Sequence, residues 1–312
     1  MQKTKIVFFG STPLSGACLL KLLSDLSLEV VCVVCQKDNP KAKKSNKYSI
    51  VKKIALENNL VCLQPNKIAD IFDEIKKMNA KIGVCVAYGQ FIPQKIIDLF
   101  LHGIINVHPS LLPKYRGGAP IQHAIWNGDL QTGITIMKIV KEMDAGDYCF
   151  QTSFPVDKNW TSGDLMQEVI KKAPDILLEC ITKILNYDVT WTKQDDSKKT
   201  YAPILTRDQE HINWFRDSKN IVNHIKAFSP IPGTFSYFGE NKTIKFFNGF
   251  LGDHKFQNKC GTINLIDKRF ICVQAFNENC VHITNFLLPG KKAIEVKNYN
   301  GNYPFSVGDI LF

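Results

Sequence analysis

Short apolar runs alternate with stretches of helical spacing along the first half of the chain, and the pattern changes near residue 230. Apolar runs over 5–9, 29–35, 61–63, 81–87 and 104–108 predict strands. Between them, 14–26, 49–58, 68–78 and 93–99 carry helix-like apolar spacing. Strand and helix in turn predict a mostly parallel, Rossmann-like sheet covered by helices, an α/β fold. No G-x-G-x-x-G follows the first strand, where only Gly10 and Gly16 fall, so a nicotinamide dinucleotide is not expected. A helix over 122–127 and a strand over 133–140 come next. A long helical stretch then runs from 161 to 186, with Thr161 as N-cap and Asp164 in its first turn. Pro174 is expected to break or kink it. The polar stretch 192–202 has no apolar period and reads as a linker. Helical signals follow at 208–217 and 218–228, and Pro230-Ile-Pro-Gly233 stops them. Short β-like runs over 234–238, 243–247, 261–266, 270–274 and 281–287 predict a small, five-stranded, OB-like β-barrel. The division expected is therefore 1–191 as the α/β domain, 192–207 as linker and 208–312 as the barrel domain.

Length and composition agree with this division. The 312 residues suit two domains, and 45% hydrophobic content fills ordinary cores. No apolar run approaches membrane-spanning length. Met1-Gln-Lys-Thr-Lys5 leads straight into a strand, so neither a signal peptide nor a transit peptide is expected. Ten scattered cysteines suit a reducing cytosol. Cys32-Val-Val-Cys35 has metal-site spacing but lies in a predicted strand, where residues three apart point to opposite faces. No second Cys/His pair stands out as its partner, so both read as buried structural cysteines and no metal is expected. The net charge of +10 hints at a polyanionic partner.

The candidate chemistry gathers at 104–118. Asn106 and His108 alternate with Ile105 and Val107, so they share one face of a strand. Pro109 ends that strand, and such a strand end is where open α/β sheets bind ligands. An Asn amide can donate to a developing oxyanion, and a His can move a proton or donate to the same oxygen. The carboxylate to pair with His108 is Asp144, with Asp147 as its competitor, both in a turn after the 133–140 strand. Read by spacing alone, these four equally suit a polar strand end and a shaped turn. The segment 36–47 is rich in lysine, and Lys41, Lys43 and Lys44 could meet phosphates or simply be solvated. Lys291 and Lys292 pose the same choice. Ala87-Tyr88-Gly89 ends another strand, either as a plain turn or as backbone open to a flat ring.

Asn106-Val-His108, Ser110-Leu-Leu-Pro113, Arg116-Gly117, Ala119-Pro-Ile-Gln122, Thr132-Gly133 and Asp144-Ala-Gly-Asp147 resemble, in order, the core signature of 10-formyltetrahydrofolate-dependent formyltransferases. Pro109 stands where many transfer-RNA-acting members have Gly, and the Gly-Arg-Gly of their basic loop is missing after Gln36-x-Asp38-x-Pro40. Ile212-Asn-Trp214, Ile225-x-Ala227-Phe228, Pro230-x-Pro232 and Leu288-Pro-Gly-Lys-Lys292 resemble the C-terminal domain of the family's methionyl-tRNA branch. The resemblance implies Asn106, His108 and Asp144 as the catalytic trio. It implies a folate pocket at Ala87, Tyr88, Gly89, Ser110, Leu111, Leu112 and Pro113, and tRNA contacts through Lys41, Lys43, Lys44, Lys291 and Lys292. The implied reaction moves a formyl group from 10-formyltetrahydrofolate to the α-amine of methionyl-initiator tRNA, with no metal. A monomer in a bacterial-type cytoplasm is the expected setting. The rivals are a glycinamide ribonucleotide formyltransferase, which lacks a second domain, a sugar-nucleotide formyltransferase, and a non-catalytic tRNA-binding protein on the same scaffold.

Overall fold

β1 (Thr4–Gly10) is apolar on both faces, as a strand covered by helices on either side must be. It is an inner strand, third in a seven-stranded sheet. With β2 (Leu28–Val34), β3 (Val61–Leu63), β4 (Ile82–Val86), β5 (Ile104–His108), β6 (Gln131–Lys138) and β7 (Tyr148–Pro155), the order is β3-β2-β1-β4-β5-β6-β7. Strands β1 to β5 pair in parallel, while β6 runs antiparallel to β5. The expected mostly parallel sheet is present, and β7 is a strand that periodicity did not mark. Helices α1 (Pro13–Leu23), α2 (Ile50–Glu57), α3 (Phe72–Lys77), α4 (Gln94–Ile97) and α5 (Pro120–Trp126) fall between strands, and α6 (Ser162–Leu185) follows β7.

The computed structural model describes residues 3–38, 48–240, 242–276 and 279–312. Lys41, Lys43 and Lys44 lie outside the described residues. The chain forms two compact units. The first is Met1–Pro120, Thr132–Phe154 and Met166–Pro203; the second is Ile121–Gln131, Pro155–Leu165 and Ile204–Phe312.

In the second unit, α7 (Ser218–Ala227) precedes β8 (Thr234–Phe238), β9 (Lys242–Leu251), β10 (Ile263–Ile266), β11 (Ile271–Gln274), β12 (Cys280–Leu287) and β13 (Ile294–Glu295). The sheet is antiparallel, ordered β10-β11-β12-β9-β8 with β13 on β12, and curls into a half-barrel. Its core holds Ile244, Phe246, Val273, Ile283 and Phe286, with Ile221 and Ile225 from α7.

Three expectations need correction. Pro174 does not break α6, which runs unbroken through it. A buried stripe of Leu165, Val169, Ala173, Leu177, Ile181 and Ile184 holds the helix on both sides of the proline. The helix expected over 208–217 is only a short 3₁₀ turn, Asp208–Glu210. Ile212 and Trp214, both buried, alternate in an extended segment beside β8, where the Ile212 N–H donates to the Phe235 carbonyl and Trp214 Nε1 to Ser236 Oγ. The stretch read as a linker is divided, since residues through Pro203 belong to the first unit. Most of its side chains are exposed, but Gln194 is buried and the backbone at Thr192, Thr200 and Ala202 bonds to that unit.

Among the described residues, no helix is long and apolar enough to cross a membrane. Cys32 and Cys35 are buried, and Cys35 Sγ lies 3.7 Å from Cys62 Sγ on β3.

Candidate active site

β5 lies between β4 and β6 in the sheet and is mostly buried, and its end delivers Asn106 and His108 to one face. Asn106 is half-buried, and its amide makes no hydrogen bond to another described residue. His108 is buried, with Nε2 2.9 Å from the Tyr115 carbonyl. An acceptor so close assigns the ring proton to Nε2, leaving the Nδ1 lone pair toward Asp144. Asp144 Oδ2 is 3.7 Å from Nδ1, beyond a direct hydrogen bond but within ion-pair reach. Burial pushes the His108 pKa down, against the opposing pull of the Asp144 carboxylate and the Tyr115 carbonyl. The ring is therefore neutral at neutral pH and able to take a proton, beside a carboxylate that favours the charged form.

Asp144 is held by its own loop. Its backbone is left-handed, at φ 51°, and its Oδ2 accepts the Gly117 N–H at 2.8 Å. Two residues on, Gly146 sits where a Cβ would lie 1.9 Å from the Lys138 carbonyl oxygen, so only glycine fits there. Asp147 meets Lys138 through its main-chain carbonyl. Of the two competing carboxylates, Asp144 is the one that faces His108.

The segment 192–203 straps the two site loops together, and sequence reasoning missed it. The Arg116 N–H donates to the Thr200 carbonyl, and the Ala202 N–H to the Arg116 carbonyl. Arg116 is 1% exposed. Its Nε and Nη2 donate to Gln194 Oε1 at 3.0 and 2.8 Å, and Nη2 also to Asp196 Oδ1 at 2.7 Å. Gln194 Nε2 in turn donates to the carbonyls of Asp144 and Gly146, both at 2.8 Å. One glutamine thus joins the loop after β5 to the loop that carries Asp144. A polar segment gives no local sign of whether its partners are water or protein, so no sequence signal pointed to Gln194.

The loop after β5 is fixed from β6 and β7. Thr135 Oγ1 donates to the Ser110 carbonyl and accepts from the Leu112 N–H, and Gln151 Nε2 donates to both Thr135 Oγ1 and the Leu112 carbonyl. Ser110 and Leu112 are buried, and the Ser110 hydroxyl donates to the Lys114 carbonyl. Their side chains serve the loop, which leaves Leu111 and Pro113 half-buried and nearer solvent. At the end of β4, Ala87 and Gly89 are exposed and left-handed, while the Tyr88 ring turns into the core against Phe9. Gln36 Nε2 donates to the Tyr88 carbonyl, and Lys52 and Gln64 bind Asp38. The start of the lysine-rich loop is thus tied beside this turn. In the second unit, Lys291 and Lys292 are exposed in the turn after β12.

The family model for formyl transferases matches residues 4–181, and that for the formyl transferase C-terminal domain matches 204–303. The chain is 40% identical to a methionyl-tRNA formyltransferase of Mesoplasma florum over 99% of each chain. It is 36% identical to that of Mycoplasma genitalium over 97% of this chain and 98% of the relative. Its fold resembles a solved sugar 3N-formyl transferase, WlaRD, crystallised in the presence of dTDP and 5-N-formyl-THF. The TM-score is 0.68 at 22% identity, covering 94% of this chain and all of that one.

Proposed function

Because the chain belongs to the formyl transferase family and, within it, to the methionyl-tRNA formyltransferases, it is an enzyme that formylates methionyl-tRNA, and we propose that Asn106, His108 and Asp144 carry the reaction. The donor is a folate, 10-formyltetrahydrofolate in our reading, and the acceptor is the free α-amine of methionine on initiator tRNA. As the amine nitrogen bonds to the formyl carbon, the carbonyl π pair moves onto oxygen, and the Asn106 amide donates to that oxyanion. The proton lost by the attacking nitrogen goes to His108 Nδ1, and Asp144 stabilises the imidazolium. When the intermediate collapses, the C–N bond to the folate breaks, its pair stays on N10, and His108 returns the proton there. This scheme uses no metal.

The observation that carries this reading is the buried His108 with its Nδ1 3.7 Å from the Asp144 carboxylate. Exposed left-handed backbone at Ala87 and Gly89 supports a folate ring lying against the main chain, with Leu111 and Pro113 opposite. Tyr88, Ser110 and Leu112 contribute through the backbone they hold. The lysines at 41, 43, 44, 291 and 292 are assigned to tRNA phosphates, and the protein acts as a monomer in the bacterial cytoplasm. The test is formylation of methionyl-tRNA with 10-formyltetrahydrofolate by the intact chain and by Asn106→Ala, His108→Ala and Asp144→Ala. Each substitution should lower kcat by about a hundredfold or more. Near-normal turnover in a folded variant removes that residue from the trio.

A further inference from the structure

The second unit gathers four side chains that the sequence scatters from residue 254 to residue 282. Cys272 on β11 stands opposite His282 on β12 in antiparallel register, so the two share a face. Cys280 is two residues from His282 on the same face. His254 reaches the group from the loop after β9. Its Nδ1 is 3.1 Å from His282 Nε2, Cys280 Sγ is 3.7 Å from that same nitrogen, and all four donor atoms lie within 4.8 Å of one another. Around a tetrahedral zinc with two nitrogens at about 2.0–2.1 Å and two sulfurs at about 2.3 Å, neighbouring donors stand roughly 3.3 to 3.8 Å apart. The cluster is already near that spacing.

Its surroundings fit a cation with two thiolates. Phe270 stacks on His282 at 3.8 Å, and Phe256 and Leu265 close the group. Two thiolates, two neutral imidazoles and one divalent ion form a neutral set, which an apolar setting can hold. Gly252 gives the loop its path, because a Cβ there would lie 2.4 Å from Cys280 Sγ and 2.7 Å from His282 Nε2. Cys272, Cys280 and His282 are buried and His254 is half-buried, so four protein donors meet with no position left for substrate.

We propose that His254, Cys272, Cys280 and His282 form a structural site for a thiophilic divalent cation, zinc in particular, that ties the loop after β9 to β11 and β12. Each thiol gives its proton to solvent as the ion enters, and no electron moves. The site is separate from the transfer chemistry and does not involve Cys32 or Cys35, whose spacing alone suggests a metal. Its four members were not readable as a group because they meet only through strand register and a loop.

The test is the metal content of the intact chain, purified without chelator, together with titration of the metal-free chain by cobalt under reducing conditions. About one zinc per chain and a cobalt–thiolate charge-transfer band are expected. Both should be lost in Cys272→Ser and in His254→Ala, the latter changing only the loop ligand and leaving the strands intact. Cys32→Ala/Cys35→Ala should keep its zinc. A chain that retains no zinc after equilibration and shows no cobalt band overturns the proposal. So does zinc that survives both ligand substitutions or is lost with Cys32 and Cys35.

Discussion

Burial holds the His108 pKa down, and with His108 as the proposed base this sets the acid limit of the reaction. Its pKa lies below the ordinary 6.5, so kcat/KM should hold to lower pH than a solvent-exposed histidine allows. The Asp144 charge opposes that shift. Asp144→Asn should therefore move the His108 titration still lower, as read by NMR of the ring; an upward move would contradict the ion-pair role. His224 shows the same physics in the second unit. Burial lowers its pKa from 6.5 to about 4, while Nε2 meets the Gln209 carbonyl and the ring stacks on Trp126. Because the unfolded chain takes up this proton first, its stabilising effect is full above about pH 6.5 and is lost as pH falls toward 4. A shift of that size corresponds to roughly 3 kcal/mol. Denaturant unfolding at pH 7 and pH 4.5 should show a loss of that order, and His224→Gln should flatten it. An equal slope in the variant would assign the loss to other groups. At this scale the sequence was legible where strand alternation sets direction, as for Asn106 and His108. It was silent on the tautomer, because the Tyr115 carbonyl reaches His108 only through a folded loop.

The segment 192–203 acts through Gln194 and Arg116, neither of which touches the site face of His108. Gln194→Ala removes both donors to the Asp144 loop and the acceptor for Arg116. It should lower kcat about tenfold, as small errors of position at a site do, with little change in KM for folate. A change confined to KM would mean the strap does not position Asp144. Arg116→Ala leaves the Gln194 oxygen short of its donors and opens a cavity, and should cost about 2–4 kcal/mol in chemical denaturation. A loss under about 0.5 kcal/mol, the range of surface substitutions, would show the network to be dispensable. Elements with strong period were readable in advance, as β5, α1 and β8 show. The strap, the extended run at Ile212 and Trp214 and the Cys/His cluster were not. Each is defined by a partner distant in sequence, and Pro174 was misjudged because tertiary packing outweighs one missing helical bond.

At the scale of the whole chain, the α/β half and the β-rich half were legible from the change in periodicity, but their borders were not. A net charge of +10 suits tRNA, and affinity should fall steeply with salt. Replacing Lys41, Lys43 and Lys44 together by Ala should lower kcat/KM for methionyl-tRNA while folate binding holds, and should make the salt dependence shallower. An unchanged salt slope would take these lysines out of the tRNA contacts. The division of the chain bears on how such proteins can exchange parts. Trp126 and Pro155–Leu165 precede residue 204 in the sequence yet belong to the second unit, where Trp126 stacks on His224 and the Ser162 hydroxyl donates to the Ser229 carbonyl. A recombinant with a single crossover near residue 204 inherits these pieces from the wrong parent. Chimeras with a relative should melt cooperatively only when all three segments of a unit travel together, so for shuffling the chain is two interleaved blocks rather than two consecutive ones.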